Sequence, residues 1–410
     1  MTDETYTGMA SVAIHASSAL TAGNSHLVPI FATSAFTFDS AEQGMDRFSG
    51  KEPGFIYSRF GNPTTAAAAE TIAALEAFGL CNETGGPLIL KALLHASGQS
   101  AMATMFLANL SAGDAVLSHY SLYGGTHEFL YGFLNKFGIT GLIENLHDTN
   151  LVEDVIKKNP SIKIIHIETP ANPTMQCIDL EVICALAKKH NLKVTVDNTF
   201  ATPYLQQPFK YGVDFVFHST TKFLNGHGSA IGGVLIGKDI PFMNKQVYNT
   251  YKLLGGNSNP FDAYLLMQGI KTLPIRMDLH CSNAAKVTGY LSKHSAVAKV
   301  NYNGLPYHPD YQISLKQMRR HGAVLSFELK NGFEGGKQFI NKLKMCVRAV
   351  SVGTTDTLIS HPASMSHSGM SREDRYKSGI TDGLIRMSVG LENSNDILND
   401  LEQALKSGTV

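Results

Sequence analysis

The sequence contains no tryptophan, no surplus of either charge and few cysteines, and each shortage removes a class of protein. Lys and Arg number 34 and Asp and Glu number 34, so the formal net charge is zero, and only 17% of residues are charged. A nucleic-acid binder shows a basic excess or stripe, and a membrane-surface protein shows a basic amphipathic helix. Neither nucleic acid nor a membrane is therefore expected as a partner. No apolar run reaches the roughly 18 residues that a spanning helix needs. The first residues, Met1-Thr2-Asp3-Glu4-Thr5, are polar and acidic, whereas a signal peptide starts cationic. Cys81, Cys177, Cys184, Cys281 and Cys346 are odd in number and form no C-x-x-C pair, so neither a metal site nor a disulfide framework is expected. The expected location is the cytoplasm.

What is present fits a globular chain with ample core. Hydrophobic residues make up 43% of 410, enough for two or three domains at about 100–200 residues each. Residues 1–60 mix Ser, Gly, Phe and Pro without sustained periodicity and read as an extended arm. Helical patterns follow at Thr64–Phe78 and Ser100–Leu110, the first stopping at Gly79. Strands then alternate with helices: Ile164–Glu168, a helix over Leu180–His190, Lys193–Asp197 and Asp214–His218. Near-continuous apolar strands in such alternation predict an α/β fold with a mostly parallel sheet over 61–260. A helix beginning near Phe261, a strand over Ala323–Leu329 and a final helix at Ile397–Leu405 predict a smaller α+β domain over 261–410. In open α/β sheets, ligands bind beyond the carboxyl ends of the strands.

Four clusters fall at such ends or near them. Lys222 follows the strand ending at His218 and is preceded by Ser219, Thr220 and Thr221. It reads either as a solvated lysine or as a partly desolvated Schiff-base former with hydroxyls to hold an anion. Asp197 ends an apolar strand, where a buried carboxylate needs a cation or hydrogen bonds. It fits a turn cap or the partner of a protonated pyridine nitrogen. Ser97-Gly98-Gln99-Ser100 opens a helix and fits a plain N-cap or a phosphate cradle. Tyr57-Ser58-Arg59 offers an anion clamp or a surface contact. Together a lysine, a strand-end carboxylate, a phosphate cradle and an arginine clamp specify pyridoxal 5′-phosphate. A nicotinamide site is not expected, because Gly226-His227-Gly228-Ser229-Ala230-Ile231-Gly232 has the wrong spacing and follows no strand directly.

With these motifs the chain resembles the Cys/Met-metabolism family of pyridoxal-phosphate enzymes, which includes cystathionine γ-synthase, cystathionine lyases, methionine γ-lyase and the O-acylhomoserine sulfhydrylases. The likeness runs from about Ile30 to Leu405. It is carried by Tyr57–Thr64, Leu122–Thr126, Glu168–Pro173, Val196–Pro203, His218–Gly228, His361–His367 and Arg386–Glu392. The resemblance implies a PLP-dependent aminotransferase-like (fold type I) large domain and an obligate dimer within a homotetramer. It makes Lys222 the cofactor-bound lysine and proton shuttle, Asp197 the partner of the ring nitrogen, and Tyr123 the residue that stacks on the ring and assists the leaving group. Ser97, Gly98, Gln99, Ser219 and Thr221 would hold the phosphate. Tyr57 and Arg59, in the arm, would reach the phosphate of a neighbouring subunit, so that active sites are shared. Asn172 would lie near the ring hydroxyl, and Arg386 with Ser351 would bind the substrate α-carboxylate.

The implied chemistry lies at Cγ of a small amino-acid substrate. The first expectation is a carbon–sulfur lyase: γ-elimination of the methionine γ-lyase kind, giving 2-oxobutanoate, ammonia and a thiol. The alternatives are γ-replacement on O-acetyl- or O-succinylhomoserine, making cystathionine or homocysteine, and cystathionine γ-lysis. Methionine γ-lyases usually have Cys where Gly125 stands and Lys-Asp where Lys252-Leu253 stand. Cystathionine enzymes commonly place Arg where Thr65 stands and again near His127-Glu128. Asp356 stands where lyases often carry Glu. An added segment, Asn82–Pro87, is expected to form a surface loop.

Overall fold

The computed structural model describes residues 6–17, 24–366, 368–377 and 379–406. His367, at the end of one motif, and the acidic start at residues 1–5 lie outside the described residues. Seven strands build the larger sheet: β1 (Lys91–His95), β2 (Ala115–Ser118), β3 (Thr140–Ile143), β4 (Ile162–Glu168), β5 (Lys193–Asp197), β6 (Phe215–His218) and β7 (Gly233–Gly237). Their order is β1-β7-β6-β5-β4-β2-β3. β7 is antiparallel to both neighbours and the remaining pairings are parallel, which is the mostly parallel sheet the alternation predicts.

The strands read as continuous apolar runs because helices cover both faces. Ile162, Ile164, Ile165 and Ile167 of β4 are all buried, although they alternate between faces. Each such side chain contributes about 1.5–3 kcal/mol by leaving water. Helix Pro63–Ala77 packs on β1, and helix Gly98–Asn109 packs on β6 and β7. The first starts where Asn62 Oδ1 accepts the Thr64 amide at 2.9 Å and Pro63 supplies a preset φ. Its alanines and Ile72 and Leu75 are buried nearly all round, so it serves as core rather than surface.

A second sheet holds β8 (Val297–Asn301), β9 (Val324–Leu329), β10 (Val347–Arg348), β11 (Leu358–Ser360) and β12 (Leu384–Ser388), in the order β10-β11-β12-β9-β8. The chain enters it along helix Leu273–Leu291. Leu273, Met277 and Cys281 of this helix pack into the core of the large sheet, and Ala284, Val287 and Leu291 pack into that of the small one. Helix Pro260–Lys271, which starts at the boundary drawn from the sequence, packs with Ala263, Leu266 and Ile270 into the large-sheet core.

Among the described residues, two helices interrupt the stretch read as an extended arm: Met9–His15 and Ala41–Phe48. Both are short, so little periodicity accumulates. The second carries a legible start signal, because Ser40 Oγ accepts the Gln43 amide at 3.2 Å and Gln43 Oε1 accepts the Asp39 amide at 2.8 Å. It leaves Met45 and Phe48 exposed. The added segment is an exposed turn organised by Asn82, whose Oδ1 accepts the amides of Thr84 and Gly86 at 3.0 Å each.

Parallel register sets the working edge of the molecule. Glu168, the last residue of β4, lies beside Asp197, the last of β5, and Asp197 lies beside Phe217 of β6. The carboxyl ends of three strands thus present Glu168, Asp197 and the turn to Lys222 in one row.

Candidate active site

Three chain segments close up at one end of this row. Ser97 Oγ accepts the Ser100 amide at 3.1 Å and starts helix Gly98–Asn109, which leaves the Gly98 and Gln99 amides free of helical partners. A Cβ on Gly98 would lie 2.9 Å from the Cβ of Ser219 and 3.1 Å from its Cα, and one on Gly233 would meet the Ser97 carbonyl oxygen at 2.2 Å. Only glycine lets these segments meet. The outcome is a helix N-terminus with open donors beside the Ser219 hydroxyl, the chemistry an anion requires. Thr221 turns its hydroxyl toward the chain, accepting the Gly232 amide at 3.0 Å and facing the Gly232 carbonyl at 3.2 Å.

Lys222 extends from the turn after β6, and its Nζ donates to Ser351 Oγ at 3.0 Å. Burial, and then the Arg386 charge, hold its ammonium below the ordinary lysine range. The turn is held from behind by the buried Arg276, whose guanidinium donates to the Phe223 carbonyl at 2.8 Å and the Gly269 carbonyl at 2.7 Å. Gly226, at φ +72°, faces that guanidinium, and a Cβ there would overlap Nη1 at 2.0 Å.

Arg386, in β12, reaches across from the smaller sheet. Its Nη2 donates to the carbonyls of Val350 and Ser351 and its Nη1 lies 3.5 Å from Asn172 Oδ1. All of these acceptors are neutral, and burial lowers the guanidinium to about 10. A part-buried cation with no anionic partner among the described residues is suited to bind one.

Asp197 and Glu168 form the opposite imbalance. Burial raises both carboxyls, and the Asp197 charge raises Glu168 further. Asp197 Oδ1 accepts the Thr199 amide at 3.0 Å, and Thr199 Oγ1 accepts the Ser219 amide at 2.9 Å. His218, whose charge acts on Asp197, is committed to fully buried Glu76 at 2.7 Å, with Asn198 donating to the same oxygen at 3.0 Å. A small protonated ring placed at Asp197 would answer this surplus of buried negative charge. The residues therefore fit pyridoxal 5′-phosphate at both ends: an anion cradle at Gly98 and a carboxylate at Asp197.

Glu168 has a second attachment that the sequence did not reveal. Its Oε2 accepts the Tyr123 amide at 2.6 Å and its Oε1 accepts the Asn172 amide at 3.0 Å. Tyr123 is half exposed and close enough to Arg386 to act on its ionisation. A Cβ on Gly125 would lie 2.7 Å from the Tyr123 ring, so glycine there permits this ring position. Gln99 Nε2 ties the same turn down by donating to the Gly125 carbonyl at 3.2 Å.

Lys222, Ser351, Arg386, Asn172 and Tyr123 are thus joined through short contacts, and Asp197, Ser219, Gly98 and Gln99 adjoin them. Tyr57 and Arg59 stand apart. Arg59 Nη1 donates to the Lys252 carbonyl at 2.6 Å and its guanidinium lies 4.7 Å from the Phe60 ring centre, while Tyr57 is half exposed. Among the described residues no cluster of His, Cys, Asp or Glu has the arrangement to hold a metal ion. No helix among them is long and apolar enough to cross a membrane.

The sequence matches the family described as "Cys/Met metabolism PLP-dependent enzyme" over residues 10–406. It is 44% identical over 400 residues to the L-methionine gamma-lyase of Fusobacterium nucleatum, covering 97% of this chain and 98% of that one. The L-methionine gamma-lyase of Porphyromonas gingivalis is 43% identical over 401 residues, covering 98% and 97%. The structure superposes on that of cystathionine gamma synthase from Xanthomonas oryzae pv. oryzae with a TM-score of 0.90 at 32% identity, covering 98% of this chain and 99% of the other. With the cradle, the lysine and the paired strand-end carboxylates in place, the chain belongs to the Cys/Met metabolism family of PLP-dependent enzymes.

Proposed function

We propose that this protein is a carbon–sulfur lyase that cleaves the Cγ–S bond of methionine and related sulfur amino acids and, consuming one water, releases a thiol, 2-oxobutanoate and ammonia. One observation carries the reading: Lys222 Nζ, Ser351 and the Arg386 guanidinium, which has only neutral acceptors among the described residues, converge beside Tyr123. The gamma-lyase relatives at 44% and 43% identity favour elimination over replacement.

Arg386 takes the substrate carboxylate in place of the backbone carbonyls it now binds, because a planar guanidinium offers two parallel donors to a carboxylate. This fixes the amino-acid Cα near Lys222. The cofactor, when bound, supplies an electron sink for charge developing at Cα. Gly98, Gln99 and Ser219 would hold its phosphate, with Ser97 and Thr221 shaping the cradle, Asp197 would keep its ring nitrogen protonated, and Asn172 would lie near its ring hydroxyl. Lys222 Nζ takes the proton from Cα: its lowered pKa leaves more of it neutral near pH 7 than an ordinary lysine, and Ser351 Oγ orients it. The same Nζ carries protons onward along the substrate chain. Tyr123, at the open side, hands a proton to the departing sulfur.

The same reading places Tyr57 and Arg59 at the cofactor phosphate of a neighbouring subunit, within a homotetramer of dimers. The Arg59 hydrogen bond to the Lys252 carbonyl, outside the Lys222–Ser351–Arg386 contacts, and the half-exposed Tyr57 support it. It divides the chain into an arm over 1–60, a cofactor domain over 61–260 and a small domain over 261–410. A cytoplasmic location agrees with five unpaired cysteines, four of them buried.

Substrate comparison tests the proposal. The protein is incubated with methionine, cystathionine, O-acetylhomoserine and O-succinylhomoserine, with and without sulfide. 2-Oxobutanoate from methionine supports elimination. Homocysteine from an acylhomoserine, with no 2-oxobutanoate from methionine, refutes it in favour of γ-replacement.

A further inference from the structure

The geometry points to Glu168 as a positioning residue that sets both walls of the substrate cleft through one carboxylate; the role rests on the elimination chemistry proposed above. The two amides it binds belong to different loops. Tyr123 follows β2 and Asn172 follows β4, yet Oε2 and Oε1 of a single side chain accept from them at 2.6 and 3.0 Å. Each wall has its own task. Tyr123 faces the leaving group, and Asn172 Oδ1 lies 3.5 Å from the Arg386 guanidinium that takes the substrate carboxylate. A shift of Glu168 would therefore move the leaving-group side and the carboxylate side together.

The residue type follows from the task. Only a carboxylate presents two acceptors and no donor. A glutamine would satisfy one amide and set an N–H against the other. A shorter aspartate keeps both acceptors but falls a methylene short of the span. A residue serving merely as filler would not be a carboxylate, because Glu168 is only 5% exposed and stands beside Asp197 in the sheet register. Burial and the Asp197 charge raise this carboxyl, and the two amide hydrogen bonds work against that rise and make an acid tolerable there.

The test uses Glu168→Gln and Glu168→Asp. In protein freed of cofactor, amide hydrogen exchange is followed by mass spectrometry in the peptides carrying Tyr123 and Asn172. Losing a buried hydrogen bond to a carboxyl oxygen should speed exchange about tenfold in at least one of the two peptides, with peptides of β9 and β12 unchanged. In the loaded enzyme the same variants should raise KM for methionine and lower kcat together, each by about tenfold. Exchange in both peptides at the wild-type rate, in both variants, overturns the assignment. If Glu168→Gln speeds exchange throughout the chain it has unfolded, and Glu168→Asp decides. Exchange does not depend on the reaction, so failure of the lyase proposal shows separately, as wild-type protein that makes no 2-oxobutanoate.

Discussion

Replacing Gly98 with alanine probes the cofactor cradle at its tightest point. The new Cβ would lie 2.9 Å from Ser219 Cβ and 3.1 Å from Ser219 Cα. Carbon atoms prefer about 3.5–4.0 Å, so the helix start and the Ser219 turn must separate by roughly 0.5–1 Å. Ser219 Cα is backbone and cannot rotate aside. Overpacking of this kind costs about 1–3 kcal/mol. Because the strain moves apart two groups that would share one phosphate, much of it should appear as weaker cofactor binding, about fivefold to a hundredfold in Kd at 1.4 kcal/mol per tenfold. Titration of cofactor-free protein, followed by the visible absorption of the bound cofactor, gives that Kd. Gly289→Ala is the control. It lies in helix Leu273–Leu291, its Cβ would meet nothing within 4 Å, and it should be neutral or stabilising by up to about 1 kcal/mol. A Gly98→Ala protein that binds cofactor as tightly as the control would refute the cradle.

Three further outcomes are expected. Arg386→Lys keeps the charge but loses the two-pronged donor, so KM for methionine should rise about tenfold to a hundredfold with a smaller fall in kcat, measured by steady-state kinetics. Asp400 is raised by burial but drawn down further by the amides of Cys346, Lys344 and Met345 at 2.8–3.0 Å, so its folded pKa lies below the ordinary value. Its contribution is thus fully present above about pH 4 and fades as pH falls through the lowered folded value. Asp400→Asn should lower stability by about 1–3 kcal/mol at pH 7, with the gap to wild type closing toward pH 2, by urea denaturation. For shared sites, Arg59→Ala and Lys222→Ala should each be nearly inactive alone. After dissociation and remixing they should recover about a quarter of wild-type activity, the share expected from random pairing of subunits. No recovery would refute sharing.

The sequence was most informative where one physical demand dominates. β4, β5 and β6 were legible because burial on both faces makes them near-continuous apolar runs, so the polar residue ending each one, Glu168, Asp197 and His218, stands out. Lys193–Asp197 was read to the residue. Helices Met9–His15 and Ala41–Phe48 were lost because so few turns give no periodicity, although the Ser40–Gln43 pairing was there to see. β1, β2, β3 and β7 were not read from the sequence; β7 has a glycine at each end.

At the site, Lys222, Asp197 and Gly98 could be nominated from local setting alone, since a strand end or helix start is a property of neighbouring residues. Glu168 could not. Its importance comes from the Tyr123 amide, 45 positions away in the chain, and no local pattern encodes that contact. The same holds for Arg276, whose guanidinium closes on a turn 53 residues earlier.

The central claim is elimination at Cγ, and product stoichiometry from methionine alone tests it most directly. Thiol, 2-oxobutanoate and ammonia should appear in equal amounts, and Lys222→Ala should yield none of them. Methionine left intact by the wild-type protein, while an acylhomoserine and sulfide are converted to homocysteine without any 2-oxo acid, would contradict the account.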